Sequence, residues 1–337
     1  MKTRLTPFAR LLIALTIVLG VFFGGRYLLE KYNIQVPGLP SNDNTSIDTD
    51  NSSTVVENEP TEEANSEVSN ATVKFNYTPP VPTNGALKGV VELGAAGFNS
   101  FIVTTDNTKN WNLEKAEWGN SLVYDGLSSG KDVKAGLKEY IAKMLDYGVR
   151  GKDIHFVVSS GAQKVATTQT IINGLKDLGY VVNPVSPQQE ATYALYSVLP
   201  KSFENNGFVV DIGSGNTKIS WVDNGQVKTL ETYGAKYYVD NKNKATVYQE
   251  VREVANKIPK HKTATCFIIG GVPYDLSKMA QSEDRYVVLK EPEAYNAEGE
   301  KMEAGLNIYQ AIADVTGCKK FVFDNKANFT IGFLLTL

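Results

Sequence analysis

Histidine and cysteine are nearly absent. His155, His261, Cys266 and Cys318 are all that 337 residues contain, and none stands at metal-ligand spacing from another, so the sequence argues against a zinc site. The two cysteines lie inside apolar runs, as small buried hydrophobes do, although a single disulfide between them stays open. An excess of basic charge is missing as well: 34 Lys and Arg against 37 Asp and Glu give a net charge of −3. The lysines are scattered rather than striped, so no field is present to draw in nucleic acid.

Long apolar runs are confined to the start of the chain. Residues 1–10 carry Lys2, Arg4 and Arg10 and no acid, and LLIALTIVLGVFFGGRYLL follows, apolar except for Thr16 and Arg26. That run has roughly the 20-residue length a helix needs to cross hydrocarbon. The expectation is a single-pass membrane protein whose residues 1–33 form a basic flank and a transmembrane anchor embedded in the lipid bilayer. The basic flank places the N-terminus in the cytoplasm and the remainder outside it. A cleaved signal peptide is the alternative, but no small-x-small site follows Gly25. Residues 34–84, polar, acidic and poor in large apolar side chains, are expected to be a disordered tether, because they cannot bury enough surface to offset ordering entropy.

From residue 85 onward strands alternate with helices, which makes the class α/β. KGVVELGAAGFNSFIVTTD reads as strand, small-residue turn, strand; DVKAGLKEYIAKMLDYG has apolar residues at helical spacing; an Asn-Gly turn at Asn224 and Gly225 closes a hairpin. The main organising feature is a repeat: GVVELGAAGFNSFIV and FVVDIGSGNTKISWV share one skeleton of apolar strand, acid, aliphatic, glycine, small residues and second strand. Each opens one half of the folded region, which predicts lobe I over 85–204 and lobe II over 205–337, with a ligand cleft between them.

A phosphate chain needs backbone N–H groups aimed at it and no side chain in the way. Gly213, Ser214, Gly215, Asn216 and Thr217 suit that task, and Asp211 ahead of them suits a divalent cation. The bland alternative is a Gly-Ser-Gly turn used for geometry alone.

Taken in order, these parts resemble the exopolyphosphatase / guanosine pentaphosphate phosphohydrolase (Ppx/GppA) family of the actin / sugar-kinase / heat-shock ATPase superfamily. The resemblance covers about 88–335. Glu92, Leu93, Gly94, Ala95, Ala96 and Gly97 stand at the family's first phosphate loop, D-x-G-S-N-S, and DIGSGNTK, Asp211 to Lys218, at its second, D-I-G-G-G-S-T-E. PVSPQQEATYALYSVL resembles the segment that carries the catalytic glutamate, which places Glu190 on it. FVVSSGAQKVATTQTII aligns Lys164 with a family arginine, FIIGGVPYDLSKMA supplies the second-lobe glycine element, Gly270 and Gly271, and the ending resembles the closing segment.

The resemblance implies a two-lobed ribonuclease-H-like actin-type ATPase fold, which would follow the one transmembrane helix and the disordered tether read from the residues before it. It also implies a Mg²⁺-dependent phosphoanhydride hydrolase acting on polyphosphate or nucleotide polyphosphate. In that reading Glu190 is the general base, Glu92 and Asp211 organise the metal, and the loops with Lys164 and Lys218 hold phosphate. Several positions depart from the family: the first loop lacks its Ser-Asn-Ser donors, and a lysine replaces the closing glutamate of the second. A catalytically degenerate phosphate- or nucleotide-binding sensor or scaffold is therefore the alternative, and an actin-like structural domain with a protein partner or as a homodimer is a further one.

Overall fold

The structure, a computed structural model, describes residues 74–94, 97–118, 130–164 and 166–337. The anchor expected over residues 11–29 lies outside them, as does the tether up to residue 73. Among the described residues no helix is long and apolar enough to cross a membrane.

Lobe I runs β1 (Ala86–Gly94), β2 (Gly97–Thr105), β3 (Trp111–Trp118), α1 (Gly130–Tyr147), β4 (Ile154–Val158), α2 (Ala166–Asp177), β5 (Val182–Pro184) and α3 (Pro187–Val198). Lobe II runs β6 (Gly207–Ile212), β7 (Asn216–Asp223), β8 (Gln226–Tyr233), α4 (Lys244–Ala255), β9 (Thr265–Gly270), α5 (Gly271–Met279), β10 (Tyr286–Leu289), α6 (Glu300–Thr316), β11 (Phe321–Asp324) and α7 (Phe329–Leu335).

The sequence repeat is a repeat of topology. The first sheet has the order β3-β2-β1-β4-β5 and the second β8-β7-β6-β9-β11-β10. Each is an antiparallel three-strand meander whose first strand also pairs in parallel with the strand after a helical crossover. The second sheet adds β10, antiparallel to β11, at its edge. Central β6 is buried along its whole length, which is why its sequence is a continuous apolar run broken only by Asp211. The β7–β8 hairpin turns at Asn224 and Gly225, both at positive φ, the backbone demanded by a two-residue hairpin turn.

Three apolar clusters stack the layers. Leu137, Ile141 and Met144 of α1 cover the outer face of the first sheet, and Val247 and Val251 of α4 with Ile308 and Ile312 of α6 cover that of the second. Between the sheets lie α3 and α7, whose Ala194, Leu195, Val198, Ile331 and Leu334 meet Val90 and Val157 of one sheet and Val209 and Phe267 of the other. The two helices nearly touch: a Cβ on Gly332 would stand 1.8 Å from the Tyr193 carbonyl oxygen. Although it ends the chain, α7 packs on α3 and on β1 and β2 of lobe I. A capping box starts α3, with Ser186 accepting from the Gln189 amide and Gln189 from the Ser186 amide, and Pro187 opens the first turn.

One boundary needs correction. The tether was expected to run to residue 84, but from Lys74 the chain is already built onto the body. Lys74 bridges to Val287, and Phe75 and Tyr77 join Phe203, Phe267 and Tyr286 in an aromatic cluster with centroids 5.5–6.1 Å apart. Two aromatic rings give this stretch the apolar area the preceding residues lack.

Candidate ligand-binding cleft

The bends at Glu92–Gly94 and Asp211–Asn216 open onto one cavity of about 340 Å³, which Glu190, Lys218, Gly270 and Gly271 also line. The cavity lies where α3 begins, between the first strands of the two meanders. Gly213, Ser214 and Gly215 form its second-lobe bend, and Gly161 of the first lobe comes within 3.7 Å of where a Gly215 Cβ would be. Gly94 lines it from the first lobe. Ala95 and Ala96 lie outside the described residues, and Gly97 pairs with Gly94 across the hairpin.

Register decides the chemistry. Glu92 lies opposite Asn99 and Asp211 opposite Lys218, the same offset of seven in each copy of the repeat. Directly opposed residues on a sheet share a face, so each carboxylate is given a neighbour by its own hairpin. In lobe I the neighbour is an amide: Asn99 Nδ2 donates to Glu92 Oε2 at 3.0 Å, and Asn328 Nδ2, from the loop before α7, donates to the same oxygen at 3.0 Å. In lobe II it is an ammonium ion. Lys218 Nζ lies 2.9 Å from Glu190 Oε1, with the two side chains only 5% and 2% exposed.

The other oxygen of Glu190 is taken as well. Its Oε2 accepts from the Ser160 amide at 3.0 Å and from the Ser160 hydroxyl, while Asn216 Nδ2 reaches that hydroxyl at 3.3 Å. The expected general base is thus clamped between a lysine and a serine. An oxygen that receives two donors has no lone pair left for a water proton. Protonating Oε1 would break the ion pair.

The carboxylates crowd one another. Burial, opposed by the two amide donors and helped by the nearby Asp211 and Glu190 charges, pushes the Glu92 carboxyl up to about 7. Burial raises Asp211 too, with Lys218 pulling against it. For Lys218, burial works against the charge, but Asp211, Glu190 and Glu92 together outweigh it and hold the ammonium above the ordinary lysine range.

At the other end of the cavity α5 begins without a side-chain cap. Its first N–H groups, unpaired within the helix, are donors of the kind that bind anions. Gly270 has φ of 112°, and a Cβ there would meet the Ile212 carbonyl oxygen at 2.3 Å, so only glycine fits this corner. Lys301, on the first turn of α6, lines the same end; its Nζ is 3.2 Å from where a Gly271 Cβ would be. Trp118 of β3 and Tyr274 of α5 meet across the mouth with ring centroids 5.7 Å apart.

Two expected phosphate ligands are placed elsewhere. Lys164 ends a short 3₁₀ turn, exposed, and is not part of the cavity wall, because buried Ala162 takes the inward position of that turn. Thr217 alternates with Asn216 and Lys218 along β7, so its side chain shares the opposite face with Ile219 and Trp221. Ser160, Asn99, Asn328 and Lys301 were not anticipated. Asn99 was readable by matching it with Lys218 at the shared offset, and Ser160 stands in the SSGAQ run that precedes Lys164.

Magnesium, implied by the resemblance, does not fit this donor set. Glu92 Oε2 is occupied by two amides, and an ammonium ion is already paired with Glu190 and lies opposite Asp211 in the hairpin, its charge felt by Asp211 and Glu92 as well. Among the described residues no group of three or more His, Cys, Asp or Glu side chains is disposed to hold a metal ion.

Neither a family model nor a curated protein matches the chain in sequence. Solved structures do match it in shape. A Ppx/GppA phosphatase of Aquifex aeolicus superposes with a TM-score of 0.55 at 13% identity, over 74% of this chain and 98% of its own. The fold is that of the Ppx/GppA proteins. An exopolyphosphatase from Cytophaga hutchinsonii agrees, with a TM-score of 0.58 at 13% identity over 74% of this chain and 97% of its own. The Ppx/GppA resemblance seen in the motifs therefore extends to the two-sheet architecture, at an identity that speaks for the fold alone.

Proposed function

We propose that this protein is a Ppx/GppA-fold binding module that holds a phosphate chain, free or on a nucleotide, in its cleft without cleaving it. One observation carries the reading: Glu190, at the position of the family's base, is held by Lys218 on one oxygen and by Ser160 on the other. The features that suit an anion are intact around it, namely the bare bend at Gly213 to Gly215, the uncapped start of α5 and Lys301. Similar structures bear the names of exopolyphosphatases and a Ppx/GppA phosphatase, which supports a phosphoanhydride as the ligand class.

Calorimetric titration with tripolyphosphate tests this. Saturable binding is expected in the wild type, weakened roughly tenfold by Lys301→Ala, as befits loss of one charge-assisted contact. Absence of binding to tripolyphosphate and to nucleoside triphosphates would overturn the reading. A second reading, a Mg²⁺-dependent hydrolase, is favoured by the single fact that Glu190 lines the same cavity as both bends; phosphate release dependent on Glu190 would establish it. Attachment to the bilayer through residues 11–29 belongs to the proposal, and release from membranes by alkaline carbonate would refute it.

A further inference from the structure

Three buried or half-buried carboxylates and the Lys218 ammonium line the cleft together. Glu92, Glu190 and Asp211 come from β1, α3 and β6, and a single ammonium, that of Lys218, interacts with every one of them. A lysine ammonium is a compact point charge with three donors. It supplies these carboxylates with the kind of service a dication would: a direct contact to Glu190 at 2.9 Å and a favourable charge felt by Asp211, which lies opposite it in the hairpin, and by Glu92. The ammonium is buried, with its side chain only 5% exposed, and it stands at the wall of the same cavity as the three carboxylates. A dication brought in beside Lys218 would meet the repulsion of a fixed like charge, and Mg²⁺ also needs near-octahedral oxygens and several waters. The matched residue of the first hairpin, Asn99, is neutral, so the substitution is particular to lobe II.

We infer that Lys218 is a built-in substitute for a divalent cation, so that the cleft takes its anionic ligand in metal-free form. The bend Gly213 to Gly215 and that ammonium line the same cavity, and the ligand's phosphates meet its charge there together with the N–H groups of the bend. This inference rests on the phosphate-chain reading for its ligand, but not for its metal.

Two measurements on the full chain separate the parts. In the first, free Mn²⁺ is followed by electron paramagnetic resonance during titration of wild type, Asp211→Asn and Lys218→Gln. Wild type and Asp211→Asn are expected to give the same titration, and Lys218→Gln to gain one site, with its thermal midpoint raised by at least about 3 °C by the metal. A wild-type Mn²⁺ site that Asp211→Asn abolishes overturns the inference, as does a folded Lys218→Gln that gains none. In the second, wild type is titrated with tripolyphosphate in excess EDTA and in excess Mg²⁺. Binding at least as tight in EDTA is expected, and binding that vanishes in EDTA overturns the inference even if Lys218→Gln does not fold. Should tripolyphosphate bind under neither condition, the phosphate-chain reading fails, while the Mn²⁺ titration of wild type against Asp211→Asn still decides the role of Lys218.

Discussion

Replacing Glu92 with glutamine should make the protein more stable at neutral pH and leave it nearly unchanged in acid. The carboxyl, pushed from an ordinary 4.5 to about 7 in the folded protein, binds its proton more tightly folded than unfolded. Below pH 4.5 both states are protonated and the group costs nothing. Between 4.5 and 7 the unfolded chain ionises first, so stability falls as pH rises, and above 7 the loss is complete. A shift of this size corresponds to about 3 kcal/mol. Glutamine offers an oxygen to the same Asn99 and Asn328 amides and does not titrate. Urea unfolding of both proteins at several pH values from 4.5 to 8 measures the effect. Their difference in unfolding free energy should grow by about 3 kcal/mol in favour of Glu92→Gln, other groups cancelling between the two. A difference that stays flat within about 1 kcal/mol would refute the burial argument.

Other consequences are equally open to measurement. Lys218→Met removes the cation from a buried pair and strands Glu190, so it should cost about 3–5 kcal/mol in urea unfolding; a loss under 1 kcal/mol would mean that the pair is not formed. Gly332→Val should destabilise strongly, because the α3–α7 contact has no room for a Cβ, and an unchanged thermal midpoint would contradict that packing. Gly270→Ala, which forces a strained backbone into the Ile212 carbonyl, should abolish tripolyphosphate binding in calorimetry, whereas Lys164→Ala, outside the cavity, should leave it within about twofold.

How much of this was legible beforehand differs from part to part. The hairpins at Glu92 and Asp211 could be read because acid, glycine and flanking apolar strands recur in the same order, and the repeat of sheet topology follows from that. Strand β3 and helix α7 escaped. In α7 the residues FTIGFLL are buried on every side, so no polar face exists to show a helical period. Phe75 and Tyr77 were lost in the composition of the acidic tract around them. The Lys218–Glu190 pair could not be seen from either residue alone. It arises because β7 returns Lys218 to the level of Asp211 while α3 lowers Glu190 onto the same spot, a juxtaposition made by tertiary packing. Lys164 misled for the converse reason: its charge fitted, but the turn that carries it points outward.

The central claim is that a lysine and a serine hold the would-be base, leaving a cleft that binds and does not cut. Inorganic phosphate release from tripolyphosphate with Mg²⁺, compared between the wild type and Glu190→Gln under conditions where the wild type is saturated, tests it most directly. The account predicts the same background rate for both proteins. Steady turnover by the wild type that disappears in Glu190→Gln would contradict it.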